Sequence, residues 1–159
     1  MVEEKLDGAN LGLSLAPDGS LRAQNHGQYL STPHMGQFAR LPAWLAQHEA
    51  GLRAVLTPDF ILFGEWCAAR HSLDYAALPD WFLLFDVYDR TVGKFWSSAR
   101  RNVLAAQVGL ATVPLVWRGH ATLDQIKHLV NGTHSRYRNG PRGRRGDSQR
   151  VRRLVRGPR

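Results

Sequence analysis

Apolar and polar positions along the chain change period several times, and each change marks an element. Val2 and Glu4 lead into a loop at Lys5 to Ala9, after which Leu11, Leu13 and Leu15 alternate with small or polar residues and share one face of a predicted strand. The stretch "APDGSL" sets Pro17, Asp18 and Gly19 in turn order, so a hairpin is expected, with "LRAQN" as its second strand up to a break at Gly27. From Gln37 to Leu56 the period lengthens: Phe38, Leu41, Leu45, Leu52 and Leu56 form a helical stripe interrupted near Pro42, with Trp44 expected in the core. Two strongly apolar runs follow, "DFILFGEWCA" from Asp59 and "WFLLFDVYD" from Trp81, joined by "RHSLDYAALPD". Both read as strands, and each carries a lone carboxylate inside hydrophobic sequence. Ser97 or Ser98 is placed to cap a helix through Val103 and Leu104 to Gly109, and Thr122 to cap another through Ile126 and Leu129, with "ATVPLVWRG" as a short strand between them.

The resulting order, β, β, β, α, β, β, α, β, α, mixes hairpins with helices and lacks regular β-α alternation. An α+β fold of largely antiparallel sheets with flanking helices is therefore expected. After Gly140 the pattern collapses into "PRGRRGDSQRVRRLVRGPR", which has too little apolar surface to fold alone. The domain reading is a folded body at 1–141 and a basic, disordered tail at 142–159.

Charge sharpens that division. The formal net charge of the 159 residues is +8, yet the last eighteen hold eight arginines and one aspartate, a balance of +7, which leaves +1 for the body. A basic surface spread over the fold is thus excluded, and any unspecific grip on nucleic acid falls to the tail. No apolar run approaches the roughly 20 residues that cross a bilayer, so no membrane segment is expected. Met1 is followed by acidic residues instead of a basic and then apolar stretch, and Cys67 is the single cysteine; a cytoplasmic protein without a secretory leader is expected. Cys67 and His71 stand four apart without a second pair at metal-ligand spacing, which disfavours a zinc site.

The candidate chemistry lies in the first loop. Lys5, Asp7, Gly8 and Asn10 form K-x-D-G-x-N between two predicted strands. Read without further context, Asp7 and Gly8 make a turn and Lys5 is solvated. The stretch "EKLDGAN", followed by "FGEW" and "FLLFDVYD", resembles the covalent nucleotidyltransferases, and within them the ATP-dependent RNA ligases, over roughly residues 2 to 138. That resemblance implies a nucleotidyltransferase-type domain with ATP and Mg²⁺ as cofactors and RNA ends as partners. Lys5 becomes the nucleophile that forms lysyl-AMP before an RNA 5′-phosphate is joined to a 3′-hydroxyl. It implies that Glu4 reads the adenine edge, that Asn10 meets the ribose or the RNA end, and that Glu65 contacts the ribose and helps to hold the metal through its water. Phe85, with Asp86 beside it, falls where an aromatic ring stacks on adenine.

Departures from the family's pattern are expected to matter. In "QNHGQYL" this chain has His26 where the family carries an arginine before the glycine, and a histidine is a weaker phosphate contact. Only four residues precede Lys5, and the later family strands, beginning with one of the type Glu-Gly-Val-Val-Val/Ile-Arg, are not found. The resemblance thus implies truncation at both ends, with C-terminal strands missing and activity of this polypeptide in question. If Arg142, Gly143, Arg144, Arg145 and Gly146 are encoded CGA GGG CGT CGT GGT, reading from the second base gives Glu-Gly-Val-Val and a further valine; on that reading the tail is a shifted-frame product. Two alternatives stay open: a DNA ligase or capping-type enzyme, and a non-catalytic nucleic-acid-binding protein acting through the tail.

Overall fold

Alternation in the first third of the chain builds a hairpin, and the hairpin seeds the main sheet. The structure, a computed structural model, describes residues 1–69, 75, 77–132 and 135–137. Those residues pack as two units, one of 1–6, 75, 77–78, 113–132 and 135–137, the other of 7–69 and 79–112. The tail at 142–159, and with it the shifted-frame reading, lies outside the described residues.

In the larger unit, β2 (Ala9–Leu15) pairs antiparallel with β3 (Leu21–Asn25) through the Ala16–Ser20 turn. Gly19 takes the turn at φ 79°, a conformation that costs a side chain dearly. A further turn at His26 and Gly27, both at positive φ, leads to the two-residue strand β4 (Gln28–Tyr29). On its other edge β2 meets β5 (Phe60–Trp66), which pairs with β6 (Phe82–Asp89), and β6 in turn carries β7 (Lys94–Phe95). All these pairings are antiparallel. The seventh strand, β8 (Ala111–Thr112), lies parallel to β6.

One face of this sheet is the core. Ala9, Leu11 and Leu13 of β2, Leu62 and Trp66 of β5, and Phe82, Leu84 and Val87 of β6 join Leu41, Trp44 and Leu52 of helix α1 (Leu41–Val55) and Leu104 and Ala105 of helix α2 (Ser98–Gln107). Trp44 stands edge-on to Trp66 at 5.9 Å between ring centres, an arrangement that aromatic quadrupoles favour. Its Nε1–H donates to Asp80 Oδ1 at 2.7 Å, and its ring stacks on His48, whose Nε2 is 3.3 Å from Asp80 Oδ2. The backbone N–H of Trp81 also donates to Asp80 Oδ1, at 2.5 Å.

Two expectations are corrected. The 37–56 stripe is not one interrupted helix: Gly36–Phe38 form a separate 3-10 turn, and α1 starts at Leu41 with Pro42 in its first turn. Proline does no harm there, because the N–H it lacks would have had no intrahelical partner. "ATVPLVWRG" is two strands, not one. β8 ends at Thr112, and after Val113 and Pro114 the chain forms β9 (Leu115–Trp117), which pairs antiparallel with β1 (Val2–Glu3) in the smaller unit. The short strands β4 and β7 were not expected at all. Helix α2 opens as expected, with Ser97 Oγ accepting from the Arg100 N–H at 3.3 Å. In the smaller unit, α3 (Leu123–Gly132) follows Thr122, whose Oγ1 accepts from Gln125 N–H while Gln125 Oε1 accepts from Thr122 N–H. This reciprocal pair is a capping box. Among the described residues no helix is long and apolar enough to cross a membrane.

Candidate functional site

Side chains alternate across a strand, so the residues that do not enter the core share the opposite face of the sheet. On β2 that face carries Asn10, and on β5 it carries Phe63 and Glu65. Asn10 and Glu65 are direct cross-strand partners. Glu65 is 6% exposed, and its Oε1 accepts from the backbone N–H of Gly8 at 3.2 Å. A charge-assisted bond of this type fixes a carboxylate far better than solvent would. Gly8 is what allows the approach: a Cβ there would lie 2.5 Å from the Trp66 carbonyl oxygen and 2.8 Å from Cys67 Sγ. Gly8 of the K-x-D-G motif and the "FGEW" strand end are therefore one local structure.

β6 reaches the same face by a different route. Its register with β5 steps between Phe63↔Asp86 and Gly64↔Leu84, which leaves Phe85 as an extra residue in a β-bulge. Leu84 and Val87 both enter the core, three residues apart, whereas Phe85 and Asp86 between them do not. Without the bulge one of the pair would face inward; with it both lie on the Asn10 and Glu65 side. Bulges beside a functional site commonly re-aim side chains in this way.

Cys67, just past the end of β5, reports on the local field. Burial, with the carboxylates of Glu65 and then Asp7 adding to it, pushes the thiol up to about 12. A thiol so protected stays neutral and is a poor metal ligand, and His71 lies outside the described residues. The two carboxylates that act on Cys67 offer hard oxygen donors instead. Among the described residues no group of three or more His, Cys, Asp or Glu could enclose a metal ion. Glu65 and Asp7 are donors of the kind that hold a hard divalent cation in concert with phosphate oxygens and water.

The other sequence-predicted residues fall elsewhere. The chain passes between the two units at Leu6 and Asp7, so Glu4 and Lys5 belong to the smaller one. Lys5 is exposed. Glu4 is 7% exposed; its backbone N–H donates to the Pro114 carbonyl at 2.9 Å, and its Oε2 accepts from the Arg136 N–H at 3.1 Å. Its Oε1 is buried without a hydrogen-bond partner. A buried lone acceptor costs about 1–3 kcal/mol, and a ligand N–H, such as the amino group of a nucleobase, is the kind of group that would satisfy it. His26 is exposed in the β3–β4 turn at φ 46°. The β2–β3 register ends at Gly12 and Gln24, so the turn that carries His26 begins just beyond it.

Sequence reasoning missed two residues here. Asn25 Nδ2 donates to the Asn10 carbonyl at 2.7 Å and so ties the His26 turn to β2. Arg101, on α2, donates from Nη1 to the Phe85 carbonyl at 2.6 Å. The asparagine could have been suspected from its place before a His-Gly turn. The arginine gave no signal, since it stands in "SARRN" among residues that normally face water.

The family model that matches this chain is that of RNA ligase, over residues 1–150. No curated protein matches it. Among solved structures, an RNA ligase of Naegleria gruberi, R4a, is 20% identical with a TM-score of 0.62, the match covering 82% of this chain and 40% of that one. An archaeal ATP-dependent RNA ligase is 23% identical with a TM-score of 0.57, covering 73% and 30%. A Naegleria gruberi RNA ligase mutant with ATP and manganese is 19% identical with a TM-score of 0.54, covering 71% and 35%. At these identities the likeness shows a shared fold, the α+β arrangement of antiparallel sheets. This chain spans 30 to 40% of the length of those relatives.

Proposed function

Because this chain belongs to the RNA ligase family, we propose that it is the nucleotide-binding portion of an ATP-dependent RNA ligase, with Lys5 as the group that takes up AMP. The observation that carries this reading is the junction of Gly8 with β5, where Gly8 donates to Glu65 and where Asn10, Glu65, Phe85 and Asp86 share the sheet face opposite the core.

In the proposed reaction the Lys5 Nζ lone pair attacks the α-phosphorus of ATP. The N–P bond forms as the bond to the bridging oxygen breaks, pyrophosphate leaves, and the amine gives up its proton. An unperturbed lysine amine, with a pKa of about 10.4, is protonated at pH 7, so the reaction requires that proton to be removed first. A divalent cation, when bound, neutralises the triphosphate and favours departure of pyrophosphate; Glu65 is the residue we assign to hold it, through water, with Mg²⁺ as the expected ion. An oxygen of the RNA 5′-phosphate then attacks the same phosphorus and releases Lys5. Finally the RNA 3′-hydroxyl attacks the activated 5′-phosphate and AMP departs.

The remaining roles follow from chemistry. Phe85 offers a flat ring for stacking on adenine, with Asp86 beside it on the same face. Asn10 supplies an amide for the ribose or the RNA end. The buried, unpartnered Oε1 of Glu4 suits an amino group on the base edge. His26 stands in for the family's arginine as a phosphate contact.

Mass spectrometry after incubation with ATP and Mg²⁺ tests the reading. A covalent AMP adduct on the unaltered chain is expected, and it should vanish in Lys5→Ala. No adduct on the unaltered chain would overturn the assignment of activity to this polypeptide. The same incubation with GTP, and a panel of nicked RNA and DNA duplexes, discriminates against capping-type and DNA-joining chemistry.

A further inference from the structure

Arginine is almost never fully buried unless its charge is met. Arg101 is 3% exposed. It sits in the first turn of α2, where its own N–H donates to the Ser97 carbonyl at 3.0 Å, and its guanidinium points to the sheet. Nη1 donates to the carbonyl oxygen of Phe85 at 2.6 Å, while Nε and Nη2 both hold Asn102 Oδ1, at 2.9 and 2.7 Å. Its chain neighbour Arg100 instead lies over the Trp96 ring at 3.5 Å. Adjacent arginines thus do different work.

What Arg101 holds is the bulged residue itself. The register step takes Phe85 out of the regular β5–β6 pairing, and a buried backbone carbonyl displaced from its ladder needs another donor. A guanidinium presents several N–H groups in a rigid plane, so one edge can bind Asn102 while another binds the carbonyl. That fixes the peptide plane between Phe85 and Asp86, and hence the direction of both side chains.

We propose that Arg101 is a positioning residue for nucleotide recognition: anchored by Asn102, it holds the Phe85 carbonyl and sets the bulge that turns the Phe85 ring and the Asp86 carboxylate to the ligand-facing side of the sheet. The proposal rests on the reading of Phe85 as the base-stacking ring. In this role Arg101 acts through Phe85 and Asp86.

The test separates the base from the phosphates. Affinities for Mg²⁺-ATP and for Mg²⁺-tripolyphosphate, which has no base to stack, are measured by calorimetry on the full chain and on Phe85→Ala, Arg101→Met, Arg101→Lys and Asn102→Ala. Phe85→Ala should weaken ATP about fivefold, the worth of one lost aromatic stack, and leave tripolyphosphate unchanged. Arg101→Met should show the same selective loss, and Arg101→Lys, which keeps one donor for the carbonyl, should recover part of it. If Arg101→Met does not fold, Asn102→Ala decides, since it keeps the guanidinium but removes its two bonds to Asn102; a selective loss of about twofold for ATP is expected. Equal weakening of ATP and tripolyphosphate would show a merely structural role and overturn the proposal. So would an intact ATP affinity in the arginine and asparagine variants while Phe85→Ala is impaired. Should Phe85→Ala itself bind ATP normally, the stacking reading fails first and takes the proposal with it.

Discussion

β5 and β6 are neighbours of almost the same length, seven and eight residues, both rich in Phe and Leu and each with one carboxylate in a central apolar run. They solve one problem in two ways. β5 keeps strict alternation, so Leu62 and Trp66 enter the core and Glu65 faces away. β6 breaks alternation at Phe85, so two consecutive residues face away together. The difference shows that regular pleating can present one functional side chain at a time, whereas an adjacent pair requires an extra residue and something to hold it. β5 makes room for this arrangement with Gly64, against which the Phe82 ring packs so closely that a Cβ would lie inside its van der Waals surface.

The comparison breaks most severely at that glycine. Gly64→Ala should destabilise the chain by about 1–3 kcal/mol through overpacking against Phe82 and the Leu83 carbonyl, read as a lower urea midpoint; an unchanged midpoint would mean that the close approach is not needed. Ser97→Ala removes the α2 cap beneath Arg101 and should cost about 1 kcal/mol. If β6 depends on α2 while β5 does not, hydrogen exchange should quicken at Phe85 and Asp86 more than at Glu65.

The smallest effect sharpens the β5 side. Glu65→Gln keeps an oxygen for the Gly8 N–H but removes a charge that raises the Cys67 thiol. In the folded chain that thiol is lifted from 9.0 to about 12, so the folded state retains its proton where the unfolded state has lost it. Stability is therefore unaffected below about pH 9 and falls as pH climbs from there towards 12. Maleimide labelling of the native chain at pH 8 should be slow, fast in denaturant, and modestly faster in the native Glu65→Gln variant. Equal rates in both native forms would contradict a carboxylate beside the sulfur.

Much of this was readable from residue order. The alternation of Leu11 and Leu13, the two apolar runs, and the caps at Ser97 and Thr122 each carry a local signal strong enough to place an element. β4 and β7 could not be read, because two residues hold no period and such strands exist only through their partners; the break between β8 and β9 fell inside one expected strand. Pro42 misled, since the same residue breaks a helix in its middle and is welcome in its first turn. At the site, motif spacing marked Asn10, Glu65, Phe85 and Asp86. The bulge that aligns the last two is a relation between strands, and the inward turn of Arg101 depends on a carbonyl sixteen residues away.

The Asp80 carboxylate gives the sheet a property of another kind. Cys67 N–H donates to the Trp81 carbonyl at 2.7 Å, closing the excursion that leaves β5 and returns to β6, and Asp80 fastens the returning end to Trp44, His48 and the Trp81 amide. A span pinned at both ends can gain or lose residues at an entropic cost that grows only logarithmically with its length. Residues inserted between Cys67 and Asp80 would therefore leave β6 entering at the same residue, with the sheet face of Asn10, Glu65, Phe85 and Asp86 unchanged.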